Sequence, residues 1–272
     1  MLQYNSQATD AANVQLGLPW SRADLHIHTT HSDGAASVLE LLAHVAATAD
    51  LRLIAITDHD SITGARQAAQ IARSFGVEVI VGEEVSTAEG HLLALFIDTF
   101  LPPGRPAAET IAAIHAQGGL AIAPHPFDRS VPSLGSAHRW LSDWPLDAIE
   151  GFNAGVIWSQ RDSNRTAQRA ARAAGLAVIG GSDAHTLATV GRGYTCFRGA
   201  SADDLYRAIQ QGQTSWDGRY WSLGQYLDMG RQLIRQRGVL GSIGLAAAGA
   251  RLVARQSSVV HPASILGLPK EP

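Results

Sequence analysis

Three short segments set metal-binding side chains two residues apart: His26-Ile27-His28, Asp58-His59-Asp60 and Asp183-Ala184-His185. Each follows or ends a run that reads as a β-strand. Residues i and i+2 of a strand share a face, so each pair projects as a fork from one side of a sheet. His91 and His125 stand beside further strand-like runs, and Glu84 ends another. So many nitrogen and oxygen ligands exceed what one ion takes. They suit two or three ions held close together, an arrangement that serves hydrolysis. Imidazole with carboxylate suits Mn2+, Fe2+ or Zn2+ and argues against a thiolate structural zinc site.

The surroundings of these residues sharpen the reading. Asp58, His59 and Asp60 follow the apolar run Leu53-Ile54-Ala55-Ile56, where buried charge is costly without a cation. Glu83 and Glu84 are adjacent carboxylates at a strand end. They repel unless one binds metal and the other faces water, and a glutamate can bridge two ions. One of the pair is therefore the centre of a cluster, and strand parity alone does not say which. His125 is held between Pro124 and Pro126, and Asp183 follows the pair Gly180-Gly181, which allows close backbone approach. Asp33 sits in Ser32-Asp33-Gly34, ordinary turn chemistry, with His31 as a competing ligand. His44, His115, His138 and His261 lie in helical or tail stretches and read as ordinary polar positions. Neither a G-x-S-x-G elbow nor a base near Cys196 supports nucleophilic catalysis by serine or cysteine.

The elements that must position these groups alternate. Strands are expected at 23–28, 52–57, 78–82, 91–97, 120–123, 148–152, 177–180 and 194–197. Helical patterns lie between them. Ser37 with Glu40 makes a capping box, and Gly76, Gly118, Gly175 and Gly212 each follow a helical stretch as C′ residues. Such alternation argues for a parallel sheet with helices outside it. His28, Asp58, Glu84, His125, Asn153 and Asp183 all fall at or just past the carboxyl end of a strand. Recruitment of so many strand ends favours a barrel over an open doubly wound sheet, which gathers its site at one crevice. Residues 1–21 read as an irregular arm, 22–215 as the barrel and 216–272 as a C-terminal helical extension. That extension opens with an aromatic connection over 216–224. It should leave the site untouched, because every candidate ligand precedes residue 186.

Composition bounds the rest. A chain of 272 residues can bury a substantial core. Its net charge of −3 gives no general pull toward long nucleic acid or anionic membrane. The single cysteine excludes an internal disulfide and fits a reducing, cytoplasmic compartment. The first 22 residues lack a secretory pattern, and no run reaches the roughly 18–20 apolar residues of a transmembrane helix. Residues 238–250 are uncharged but too short and glycine-rich to span; they read as a helix packed on the domain. Oligomeric state is not legible.

In this order the motifs resemble the PHP (polymerase and histidinol phosphatase) family of metal-dependent phosphoesterases. The matching elements are His26-x-His28 with Ser32-Asp33-Gly34, Thr57-Asp58-His59-Asp60, Gly82-x-Glu84 leading to His91, His125-Pro126, and Gly181-Ser182-Asp183-Ala184-His185. The resemblance covers about residues 22–215 and implies a distorted (β/α)7 TIM-like barrel carrying two to three divalent ions at its carboxyl face. It implies His26, His28, Glu84 and Asp183 on a first metal, Glu84, His91 and His125 on a second, and Asp33, His59 and His185 on a third. The family's glutamate follows glycine by two positions, which selects Glu84 over Glu83. Asp58, Asp60, Arg129, Asn153 and Arg192 are then the candidates for proton transfer and substrate contact. The implied reaction is attack of a metal-bridging hydroxide on a small phosphorylated metabolite, foremost a nucleotide phosphomonoester such as AMP or a 3′,5′-bisphosphate, or a short oligonucleotide. The alternatives are a histidinol-phosphate phosphatase and a non-catalytic metal-stabilised binding module. A carboxylated-lysine amidohydrolase is excluded, because the lone lysine is Lys270.

Overall fold

The computed structural model describes residues 17–48, 50–136, 140–232 and 234–235. In chain order its elements are β1 (Trp20–Asp24), α1 (Val38–Ala47), β2 (Leu53–Ile56), α2 (Thr63–Ile71), β3 (Glu78–Ser86), β4 (His91–Leu95), α3 (Ala107–His115) and β5 (Leu120–Ala123). Then follow α4 (Trp140–Asp143), β6 (Ala148–Asn153), α5 (Asp162–Ala174), β7 (Ala177–Gly181), β8 (Gly193–Arg198), α6 (Ala202–Gln210) and β9 (Ser215–Gly218). The strands form one sheet in the order β7-β6-β5-β4-β3-β2-β1-β8-β9.

That sheet curls until its first and seventh strands meet. Past the end of β1, the His28 amide donates to the Ala184 carbonyl at 2.9 Å, and the Ala184 amide donates to the His26 carbonyl at 3.1 Å. This short parallel bridge nearly closes a barrel and sets the first and last metal-binding forks side by side. β8 pairs antiparallel with β1 over Trp20–Ala23 and with β9 on its other side, α6 lying between β8 and β9 in the chain. The barrel-like α/β architecture is the expected one, with a local departure. β4 runs antiparallel to both neighbours, joined to β3 by a hairpin in which Ser86 opposes His91. A residue at the start of β4 thus reaches the same barrel face as residues at the ends of the parallel strands.

Alternation in β2 divides the core. Leu53 and Ala55 join Ile80, Leu93, Ile122, Ala148 and Ile179, one residue from each of several strands, in the barrel interior. Ile54 and Ile56 instead pack with Val38, Leu41, Leu42 and Val45 of α1 and with Ala65 and Ala68 of α2. The punctuation read from sequence is present: Ser37 and Glu40 form the reciprocal capping box, and Gly76, Gly118, Gly175 and Gly212 all have positive φ.

The segment expected to be an aromatic connection contains β9. Its half-exposed Ser-Trp-Asp-Gly sequence lacks the apolar alternation that marks a strand, so pattern alone did not find it. Residues 223–232 are helical. The expectations for 1–16, 238–250, His138 and His261 lie outside the described residues. Among the described residues no helix is long and apolar enough to cross a membrane.

Candidate metal centre

Glu84 stands at the middle of five imidazoles. Its Oε2 lies 3.0 Å from His26 Nε2, 3.2 Å from His28 Nε2 and 3.4 Å from His59 Nδ1. Its Oε1 lies 2.8 Å from His91 Nδ1 and 3.0 Å from His125 Nε2. Asp183 Oδ1 approaches His26 and His28 at 3.5 and 3.3 Å, and Asp33 Oδ1 approaches His185 Nε2 at 3.3 Å. Every residue expected to bind metal therefore lies in one cluster: His26, His28, Asp33, His59, Glu84, His91, His125, Asp183 and His185.

Several elements bring them there. The β1 extension carries His26 and His28, β3 carries Glu84, β4 opens with His91, and the loop after β7 carries Asp183 and His185. Parity places Glu84 inward and sends Glu83 the other way, where its carboxylate accepts the Leu101 amide at 3.0 Å. The backbone at Asp60, His125 and Asp183 has φ of 50°, 29° and 53°. Non-glycine residues seldom adopt that region, and such strain collects where the surrounding fold over-determines a site.

Four overlapping groups each offer one atom per residue within 4.8 Å of the others: His28/Asp33/His59/His185, His26/His28/Glu84, His26/His125/Asp183 and His59/Glu84/His91. The donor set fits hard or borderline divalent cations. Buried His28 Nδ1 and Nε2, His91 Nδ1 and His125 Nδ1 make no hydrogen bond among the described residues, although His28 Nε2 and His91 Nδ1 lie within 3.2 Å of a carboxylate oxygen. Nitrogens that lie near carboxylate oxygens without sharing a proton with them are available as ligands of a cation, and His28 and His91 both belong to the groups able to hold one. The electrostatics agree. Burial opposes protonation of His26, yet Asp183, Glu84 and Glu150 outweigh it and lift its pKa well above the imidazole range. Burial likewise opposes ionisation of Glu84, but His59, His26 and His91 hold its pKa well below the usual carboxylate value.

A further shell holds these groups in place. His26 Nδ1 lies 3.1 Å from Glu150 Oε1, which leaves Nε2 to face Glu84. Glu150 Oε2 accepts the His125 amide at 2.7 Å and Asn153 Nδ2 at 2.9 Å. Strict alternation would put Glu150 and Asn153 on opposite faces. A register shift between Glu150 and Phe152 turns both inward. Gly181 is needed beside them, because a Cβ there would lie 2.5 Å from Glu150 Oε1.

The residues expected to touch substrate fare differently. Asp58 accepts the Thr29 amide, the Thr29 hydroxyl and the Ser32 hydroxyl, each at 2.7 Å, and so pins the loop that carries Asp33. Asp60 accepts the Ser86 amide at 2.7 Å and fixes the end of β3. Asn153 is fully engaged: its Nδ2 donates to Glu150 and to Asp183 Oδ2 at 3.1 Å, and its Oδ1 accepts the Gly155 amide at 2.8 Å. The polar atoms of Asp58 and Asn153 are engaged by the protein, and Asp60 has one oxygen so engaged. Arg129 is exposed on the loop after β5, and Arg192 is half-exposed just before β8. His31 pairs with Gln67 at 3.0 Å, outside the cluster. Asp24, at the end of β1, accepts the Ser182 and Gly191 amides.

Sequence reasoning missed the wall beyond residue 215. Trp221 is buried and staples two site loops, its amide donating to the Ala154 carbonyl and its Nε1 to the Ser182 carbonyl, both at 3.0 Å. Its ring packs edge-on to His185 at 6.2 Å. Tyr226 Oη donates to the carbonyls of Gly155 and Val156 at 3.1 and 2.9 Å, and Gln225 reaches the Ala188 carbonyl. The only advance signal was the density of aromatic residues over 216–226.

Comparison with known proteins identifies this constellation. The family model described as PHP domain matches residues 24–140, and that described as PHP-associated matches 161–214. An uncharacterised protein of Methanocaldococcus jannaschii is 39% identical over 144 residues, 49% of this chain and 82% of that protein. The chain belongs to the PHP family of metal-dependent phosphoesterases. A 5′-3′ exoribonuclease of Haemophilus influenzae is 32% identical over 44% of this chain and 45% of its own length. A 3′,5′-nucleoside bisphosphate phosphatase of Chromobacterium violaceum is 40% identical over 83 residues, 29% of this chain and 29% of that protein. The chain thus matches less than half the length of either enzyme. In fold it resembles a solved two-domain protein of Bacteroides vulgatus described as containing a PHP-like metal-dependent phosphoesterase, with a TM-score of 0.62, 19% identity, and coverage of 82% of this chain and 71% of that one.

Proposed function

We propose that the chain hydrolyses a phosphomonoester of a small metabolite, foremost a nucleotide, using two to three divalent ions (Mn2+, Zn2+ or Fe2+) held by the nine clustered residues. The observation that carries this reading is Glu84, an ionised buried carboxylate with an imidazole group on every approach. When bound, such ions neutralise phosphoryl charge and activate water near neutral pH. The chain supplies the rest. Glu150 fixes the ring of His26, Asn153 steadies Asp183, and Asp58 holds the Asp33 loop, so that ligands need little rearrangement during turnover. His28, Asp33, His59 and His185 form the most open of the groups, where Asp33 and His59 keep partial exposure. That side is where a terminal phosphate enters. Arg129 and Arg192 stand exposed enough to contact a second phosphate.

The bisphosphate phosphatase relative supports a monoester substrate, and the exoribonuclease relative supports a short oligonucleotide. The net charge of −3 disfavours long nucleic acid, and the lone cysteine fits a cytoplasmic setting. Phosphate release is to be compared for AMP, a 3′,5′-nucleoside bisphosphate, histidinol phosphate and a short RNA under excess Mn2+, with elemental analysis of the loaded protein alongside. Turnover of a nucleotide monoester with at least two ions bound is the expected result. Faster cleavage of an internal diester than of any monoester overturns the reading, as does an absence of phosphate release from all of them.

A further inference from the structure

The loop after β6 carries a feature that the metal centre does not use. Trp158 is 80% exposed, more than any other large hydrophobic described. A lone surface hydrophobic is commonplace; the setting of this one is not. Its loop leaves the centre directly, since a Cβ on Gly155 would lie 3.2 Å from Asn153 Oδ1 and 3.2 Å from Asp183 Cβ. The backbone between is anchored by Trp221 at Ala154 and by the Tyr226 hydroxyl, which shares its one proton between the Gly155 and Val156 carbonyls. From Gly155 to Trp158 the extended chain spans no more than about 11 Å, so the Trp158 backbone lies within that distance of the residue that abuts Asn153 and Asp183.

Its direction follows from local geometry. Trp158–Gln160 form a 3-10 turn continued by Arg161 in helical conformation. In such a turn residues i and i+3 eclipse, which puts Trp158 and Arg161 on one side. The Arg161 guanidinium lies over the Tyr220 ring at 4.2 Å. Tyr220 in turn meets Phe152 at 5.1 Å and Asn164 at 3.3 Å, and Asn164 holds the Asn153 carbonyl. A rigid loop thus presents an uncovered indole and a cation toward the wall of the metal centre.

We propose that Trp158, with Arg161 beside it, is the subsite for the leaving group and takes a flat aromatic ring, a nucleobase, by stacking. This rests on the phosphomonoester reading and narrows it to substrates that carry such a ring. An indole face offers dispersion to any base without selecting among bases, and the adjacent guanidinium attracts an anion carried on the same substrate.

The test uses the full chain loaded with Mn2+ and compares AMP with ribose 5-phosphate, which shares the phosphoryl sugar and lacks the ring. Trp158→Ala should lower kcat/KM for AMP about tenfold, chiefly through KM, change ribose 5-phosphate less than about twofold, and be largely rescued by Trp158→Phe. Equal effects on both substrates, or none on either, overturn the subsite and leave the phosphatase reading standing. Where neither these compounds nor a 3′,5′-nucleoside bisphosphate or histidinol phosphate is hydrolysed, the phosphomonoester reading fails instead. Calorimetric binding of AMP to wild type and to Trp158→Ala then decides the subsite: weaker binding by the variant supports it, and unchanged binding or none to wild type overturns it.

Discussion

The two ends of the barrel both gather charged and polar side chains, and they gather them differently. At the amino end a cavity of about 680 Å³ is lined by Trp20, Ser21, Arg22, Asp50, Arg52, Cys196 and Ser215 among others. Its charges are spent in open pairs. Arg22 and Asp50 meet at 3.5 Å with side chains 46% and 78% exposed, Arg22 also covers the Tyr194 ring, and Arg198 lies over Trp20. Such pairs contribute little, because water competes for both partners. At the carboxyl end His26, His28, His125 and Glu84 are buried, converge with the half-buried His59 and His185, and leave ring nitrogens without a hydrogen bond among the described residues. Burial with unmet coordination, rather than open volume, distinguishes the functional end.

The sharpest way to break this contrast is to remove one charge from each end. Glu84→Gln should cost about a thousandfold or more in kcat, whereas Arg22→Ala should change kcat/KM by less than about twofold. Elemental analysis of Glu84→Gln should show at least one ion lost. Comparable losses at the two ends would erase the distinction.

A smaller effect tests whether the inner end depends on its supporting shell. Glu150→Gln weakens the hold on His26 Nδ1 and on the His125 amide while keeping the size of the side chain. Mn2+ affinity or kcat should fall about 10–100-fold. Titration of Mn2+ into the variant that matches wild type would mean the rings are held by packing alone.

The smallest effect concerns Glu83, buried like the centre yet lacking its partners. Burial, reinforced by Asp60, pushes its carboxyl up to about 8. The folded protein therefore keeps a proton that an unfolded chain releases near pH 4.5. Between those values stability falls as pH rises, by at most roughly 1.4 kcal/mol per unit, and the loss is complete above the folded pKa. Glu83→Gln should flatten this slope in denaturant titrations from pH 5 to 8 while leaving activity nearly intact. An unchanged slope would show that Glu83 is already ionised in the fold.

Much of the centre was legible because strand parity is strict. The forks at His26/His28 and Asp183/His185 and the capping glycines needed only periodicity and turn chemistry. Choosing Glu84 over Glu83 needed the resemblance, since parity says that the two differ without saying which points in. His91 was legible as a ligand but not as the start of a reversed strand, because a hairpin's direction depends on pairing. Glu150 escaped as a support of His26 and His125, and Asn153 was read toward substrate rather than toward Asp183, for a related reason: the irregularity at Gly151 rotates one relative to the other, and nothing in four residues marks it. Asp58 was assigned to chemistry on residue type, whereas a backbone amide and two hydroxyls occupy both its oxygens. Trp221 was invisible because its two hydrogen bonds reach loops distant in sequence.

The Trp221 staple also sets an order of events in the life of the chain. Synthesis runs from the amino end, and the ligand set is complete once His185 has emerged, well before the residue that ties Ala154 to Ser182. A nascent chain halted between those points carries every candidate ligand and an unlatched rim. Translation of the following stretch then supplies the residue that ties the loop after β6 to the loop after β7.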